Sequence, residues 1–284
     1  MTKPEDTHFK LTANGRLLAL QKPVVMGILN LTPDSFYDGG RYTTADAALA
    51  QTERMVAEGA AIIDLGAVST RPGSEAPDEA EEWRRIYEVL PLLRRRFPQI
   101  WLSADTYRAS VVQKAAAEGI DIINDISGGG MDEALMQAVA HTKLPYILMH
   151  MQGTPATMQQ QPHYTNVVAE VSSWFDQKIA ALQMQGITQL VLDPGFGFGK
   201  TVEHNFQLLA ALPQFTQKGF PLLAGISRKS MLTKLLGIKK EEALNATTAA
   251  NTHALLGGAH ILRAHDVKEA AQAIEIFEAV RKSS

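Results

Sequence analysis

The chain is 284 residues long with a formal net charge of −3, so its charge balance selects neither nucleic acid nor an anionic membrane surface as a partner. It contains no cysteine, which removes disulfides, thiolate nucleophiles and cysteine-ligated metal centres together. No apolar run approaches the length of a membrane span and the first ten residues lack the apolar core of a signal peptide, so a soluble, cytoplasmic protein is expected.

In chain order, residues 9–20 alternate in places around Asn14-Gly15, the dipeptide that best accepts two positive φ angles, which predicts a β-hairpin. Eight short runs of mostly apolar residues follow, at 24–29, 61–65, 100–104, 120–123, 145–149, 190–192, 221–226 and 260–262. They stop abruptly at Asn30, Gly66, Asp105, Asn124, His150, Asp193, Ser227 and Arg263. Between them lie stretches of helical periodicity at about 44–58, 78–96, 108–118, 132–141, 166–185, 204–212, 228–236 with 241–256, and 267–281. Buried strands alternating with helices predict an α/β fold of the (β/α)8 TIM-barrel type, one domain over 1–284 with the 9–20 hairpin closing its bottom. In such a barrel the strand-to-helix loops converge at the C-terminal strand ends, so the eight stops are expected to form one site.

The predicted helix 78–96 begins with Asp78, Glu79, Glu81 and Glu82 and ends with Arg94, Arg95 and Arg96, as the helix dipole favours, which reads as a solvated helix and not as a basic binding patch. Two loops are longer than the barrel requires. One runs from Leu31 to Gly40 after the first barrel strand and carries Phe36 and Asp38; the other runs from Ala67 to Ser74 after the second and carries Thr70, Arg71 and Pro72.

The segment from Leu192 to Thr201 imitates two nucleotide motifs and satisfies neither. A phosphate-cradling loop ending at Gly199-Lys200-Thr201 would need its first glycine at Pro194, and a dinucleotide fingerprint would need glycine at Lys200. What remains is a carboxylate, Asp193, at a strand end before a glycine-rich turn. It could accept a pair of N–H bonds from a pterin-like or guanine-like ring, or cap the next helix.

Taken together, the segments GILNLTPDSFYDGG, STRPGS, SADTY, NDISGG, LMHMQGTP, DPGFGFGK, GISRKSML and RAHD, in this order from Met26 to Asp266, resemble the dihydropteroate synthase family. The resemblance implies a transferase that condenses 6-hydroxymethyl-7,8-dihydropterin diphosphate with 4-aminobenzoate, releasing diphosphate and giving 7,8-dihydropteroate for folate synthesis. It implies a pterin site of Asp105, Asn124, Asp193 and Lys229, and a diphosphate site of Asn30, Arg71, Arg263 and His265. The aminobenzoate pocket would comprise Phe36, Thr70, Pro72, Phe198 and Ser230, the last near a helix N-terminus suited to a carboxylate. Mg²⁺ held by Asn30 and Asp38 is the implied cofactor, Asp105, Arg71, Lys229, Arg263 and His265 the catalytic set, and a homodimer the implied assembly. His150 and His163 are expected to be structural. Three positions depart from the family pattern: Val68 stands where glutamate is usual, and Ala104 and Ala264 replace bulkier residues. The competing readings are a methyltetrahydrofolate-dependent corrinoid methyltransferase, which would have no use for a diphosphate site, and a non-catalytic pterin-binding barrel.

Overall fold

The computed structural model describes residues 9–32, 44–67 and 77–283. Asn14 and Gly15 take φ angles of 51° and 71°, and the chain turns back on itself between β1 (Phe9–Ala13) and β2 (Arg16–Leu20), which pair antiparallel. Eight parallel strands follow: β3 (Val24–Asn30), β4 (Ala60–Gly66), β5 (Trp101–Asp105), β6 (Ile122–Asp125), β7 (Tyr146–Met149), β8 (Leu190–Asp193), β9 (Leu223–Ala224) and β10 (Ile261–Ala264). Their order is β8-β7-β6-β5-β4-β3-β10-β9, and a single parallel bridge between Leu192 and Leu222 joins the ends into a barrel. Helices cover the outside: α1 (Thr44–Ala57), α2 (Glu79–Tyr87), α3 (Leu90–Arg96), α4 (Ala109–Ala117), α5 (Leu135–Thr142), α6 (Val167–Met184), α7 (Val202–Ala210), α8 (Leu212–Thr216), α9 (Ser230–Leu236), α10 (Leu244–Leu256) and α11 (Val267–Ser283). None of the described helices is long and apolar enough to cross a membrane.

Three expectations are corrected. The single helix 78–96 is two helices, because Pro91 has no N–H for the carbonyl four residues back and its ring collides there; the helix ends and restarts with proline in the first turn of α3. The sixth helical segment, expected over 204–212, ends at Ala210 as α7, and the short α8 that follows it, with Pro213 in its first turn, was not expected. The seventh barrel strand shrinks to Leu223–Ala224, since it lies at the seam and Pro221 has no N–H to donate, so Ser227 lies three residues beyond the strand end. Elsewhere the predicted stops fall within one residue of the observed ends.

The hairpin lies across the N-terminal mouth, held by the segments that enter the strands. Gln189, ahead of β8, accepts from the backbone N–H of Thr12 at 2.7 Å, while Asn14 donates to the carbonyl of Ile120 at 2.8 Å. Fully buried Asp121 collects donors from Asn14, Arg16, Arg94 and the Leu102 backbone. Arg94 is thus a barrel-bottom staple and not a member of a solvated basic cluster. Ala104 and Ala264 are both fully buried.

Candidate active site

The opposite mouth is where the carboxylates gather. Side chains two residues apart on a strand share a face, so Asp64 lies on the same side of β4 as Gly66, and Asp105 of β5, Asn124 of β6 and Arg263 of β10 meet it there. The Arg263 Nε donates to Asp64 Oδ2 at 2.7 Å, and its Nη2 to Asp105 Oδ2 at 2.8 Å. Asn124 Nδ2 reaches the same Asp64 oxygen at 3.0 Å. Asp64 Oδ1, completely buried, has no hydrogen-bond partner among the described residues. A Cβ on Gly66 would stand 3.7 Å from Asn30 Oδ1 and 3.8 Å from Asp105 Oδ2, so a larger residue at this strand end would fill the space between them.

Burial raises the Asp105 and Asp193 carboxyls above the ordinary range; Arg263 opposes this at Asp105, and Lys229 with the Gly195 N–H opposes it at Asp193. Arg263 remains a cation because Asp64 and Asp105 outweigh its desolvation. Lys229, at the N-cap of α9, is driven by burial down to about 8 against the pull of Asp193. Its ammonium bonds to the carbonyl of Phe196 and lies 4.4 Å from the centre of the Phe198 ring.

The loop after β8 explains Lys200, the residue at which the dinucleotide fingerprint fails. Gly195 and Gly199, with φ of 70° and 62°, bring this loop so close to the segment after β7 that a Cβ would stand 2.0 Å from the His150 carbonyl oxygen in one case and 2.4 Å from that of Gln152 in the other. The Lys200 ammonium is enclosed between the two segments, bonding to the carbonyls of His150, Gly195 and Phe198 at 3.2, 3.0 and 2.9 Å and facing His150 Nδ1 at 3.1 Å. Burial, then the neighbouring Lys200 charge, pulls His150 down to about 3. Lys200 therefore holds the loop whose Phe196 carbonyl and Phe198 ring hold Lys229.

Of the site residues expected from sequence, Asp105, Asn124, Asp193, Lys229 and Arg263 come together at this mouth. Asn30 ends β3 beside Asp105, Ser230 is the exposed first residue of α9, and His265 follows β10 with Nδ1 3.1 Å from Ser227 Oγ. Phe36, Asp38, Val68, Thr70, Arg71 and Pro72 lie outside the described residues. Arg263 differs from expectation in one respect: the donors that were to grip diphosphate are largely engaged by Asp64 and Asp105, leaving Nη1 without a bond to the described residues. Sequence reasoning missed Asp64, although a carboxylate two residues before a strand end in the run Ile62-Ile63-Asp64-Leu65 was a readable signal. It also missed Glu82, fully buried, which accepts from Thr106 and Arg108 at 2.5 and 2.7 Å and so ties α2 to the segment after Asp105; only the fold brings these together.

The model of a family described as pterin binding enzyme matches residues 26–265. Dihydropteroate synthase of Escherichia coli strain K12 is 46% identical over 272 residues, 95% of this chain and 96% of that protein. A crystal structure of Yersinia pestis dihydropteroate synthase with a sulfonamide drug complex superposes with a TM-score of 0.91 at 44% identity, covering 96% of this chain and 100% of that one. The Xanthomonas albilineans dihydropteroate synthase with 4-aminobenzoic acid also has a TM-score of 0.91, at 42% identity, covering 97% of this chain and 99% of that one.

Proposed function

The chain belongs to the dihydropteroate synthase family of pterin-binding enzymes, and from that premise we propose how its strand ends divide the reaction. It joins 4-aminobenzoate to 6-hydroxymethyl-7,8-dihydropterin diphosphate, forming the C–N bond of 7,8-dihydropteroate as the C–O bond to diphosphate breaks. The observation that carries the division of labour is the buried polar cluster of Asp64, Asp105, Asn124, Asp193, Lys229 and Arg263. Several acceptors and one ammonium meet in a largely desolvated mouth, where they favour a flat ligand with N–H donors on one edge and a carbonyl on another.

Asp193 accepts the amidine-like N–H pair of the pterin, Asn124 and Asp105 bind its other polar edge, and Lys229 faces O4 and N5. Asp105 stabilises the cationic pterin that forms as diphosphate leaves. Diphosphate lies toward Asn30, Arg71 and His265, with Arg263 contributing Nη1 while its other donors hold Asp64 and Asp105 in place. The amine needs no strong base, because an aromatic amine is nucleophilic at neutral pH and sheds its proton after attack. Phe36, Thr70, Pro72, Phe198 and Ser230 form the aminobenzoate pocket, where sulfonamides compete.

Mg²⁺ fits the residues present in a limited sense. Among the described residues no group of three or more His, Cys, Asp or Glu could form an all-protein cage, whereas Asn30 offers one hard oxygen beside the diphosphate region. An ion that keeps water and phosphate ligands needs little more, and Asp38 is the second proposed ligand. When bound, the ion neutralises charge on the leaving group. The apolar side chains of Leu235 and Leu236 on α9, Leu256 on α10, and Ile276 and Val280 on α11 are exposed, which supports a homodimer through this side of the barrel.

An assay of diphosphate release tests the reading. Release is expected only with both substrates and to weaken when Mg²⁺ is chelated. Release from the pterin diphosphate alone, or transfer of a methyl group from methyltetrahydrofolate, would overturn it.

A further inference from the structure

Ser227 ends one of the eight apolar runs and has no part in the division of labour above. Its side chain is almost completely buried between the segments that follow β9 and β10. There Ser227 Oγ accepts the backbone N–H of His265 at 3.1 Å and lies 3.1 Å from Nδ1 of the same residue's ring. A hydroxyl has one proton to give. No other described side chain or carbonyl bonds to this hydroxyl, so its proton is satisfied only if Nδ1 is the acceptor. In the opposite tautomer Nδ1–H would donate to Ser227, which would then accept twice and leave a buried O–H without a partner.

The next residue on each segment forms a second rung. The Arg228 Nε and Nη2 bond to the two oxygens of Asp266 at 2.8 and 2.7 Å, and the Arg228 N–H donates to Thr247 Oγ1 at 3.0 Å, at a backbone φ of 54°. These contacts fix the two segments against each other independently of Ser227. Burial first, then the nearby charges of Lys240, Arg263 and Arg228 against that of Asp266, hold His265 down at about 4, so the ring is neutral at neutral pH. A neutral imidazole has one N–H, and which nitrogen carries it decides whether the ring can donate to a phosphate oxygen.

We propose that Ser227 is a positioning residue that sets His265 in the Nε2–H tautomer, so that the free edge of the ring is a hydrogen-bond donor before diphosphate arrives. The functional half of this inference rests on the assignment of His265 to the diphosphate site; the tautomer half does not. Ser227 makes no contact with substrate in this scheme. It acts by withholding Nδ1 from protonation and by anchoring the His265 backbone.

The test is nitrogen NMR of the full-length, ligand-free protein labelled at histidine, with the His265 ring identified by its loss in His265→Gln. The expected result is an unprotonated Nδ1 and a protonated Nε2 for His265 at neutral pH, and a mixed or altered tautomer in Ser227→Ala. An Nδ1–H ring in the unsubstituted protein overturns the inference, and that measurement does not depend on whether the variant folds. Adding diphosphate with Mg²⁺ should move the Nε2 resonance. Its affinity should fall roughly tenfold in Ser227→Ala, as expected for loss of one oriented hydrogen bond, while a pterin without diphosphate binds unchanged. An Nε2–H ring that diphosphate leaves unmoved would support the tautomer and overturn the diphosphate role of His265.

Discussion

Asp193 is a buried charge and Arg263 a half-buried one, with opposite demands on a replacement. In Asp193→Asn the carboxamide can still accept from the Gly195 N–H, which is 2.8 Å from the present Oδ1, so the turn should survive. It then presents a donor to a donor on the pterin, and kcat/KM should fall by at least about a hundredfold with the melting temperature little changed. Turnover equal to the parent in a folded Asp193→Asn protein would remove Asp193 from the pterin site. Arg263→Lys keeps the charge but cannot span Asp64 and Asp105, which are bridged now at 2.7 and 2.8 Å. Because the same guanidinium orders a pterin carboxylate and faces the diphosphate region, calorimetry should find both the bare pterin and diphosphate bound more weakly. An effect on diphosphate alone would mean that the carboxylate bridge does not matter for binding.

At the scale of elements, the loop between β8 and α7 is held by a cation. Lys200→Met is nearly isosteric and relieves the desolvation that lowers this lysine to about 7, yet it strands the His150 and Phe198 carbonyls, while the Gly195 carbonyl keeps only the Phe198 N–H at 3.1 Å. Two unmet acceptors outweigh one relieved charge, so the change should cost about 2–4 kcal/mol and lower Tm by roughly 5–10 °C in scanning calorimetry. An unchanged Tm would show that the ammonium is dispensable to the loop. At the other mouth, His260 accepts from the Leu222 N–H at 3.2 Å, packs edge-on against Phe9 of the hairpin, and is lowered by burial from 6.5 to about 4. The unfolded chain takes up this proton below pH 6.5 and the folded protein only near 4, so stability is lost as pH falls through that window and is unaffected above it. Denaturant titrations of the parent and His260→Asn should therefore diverge between pH 6.5 and 4, with the parent losing on the order of 3 kcal/mol more. Parallel pH profiles would show that His260 is protonated in the folded state.

For the molecule as a whole, Leu235, Leu236, Leu256, Ile276 and Val280 expose apolar side chains on α9, α10 and α11, the surface on which a homodimer is proposed. Sedimentation equilibrium should give twice the monomer mass. Charged substitutions at Leu256 and Ile276, which are 65% and 68% exposed in the monomer and so contribute little to its core, should shift the protein to monomer without unfolding it. A monomer at all concentrations in the parent protein would exclude the proposed assembly.

What the sequence determined by itself is what local chemistry and period can encode. Asn14-Gly15 encodes the hairpin turn, the alternation of apolar runs and helical stretches encodes the barrel, and the polar residues that stop those runs mark the mouth where Asp105, Asn124, Asp193 and Arg263 meet. Even the division of the predicted 78–96 helix was legible at Pro91. The tertiary structure alone decided which of these groups bind one another, because contacts such as Arg263 to Asp64, Lys200 to His150 and Ser227 to His265 join residues 199, 50 and 38 positions apart. No period or motif records those pairings: they arise when barrel closure places strand ends from distant parts of the chain side by side, and burial there forces each polar atom to find a partner.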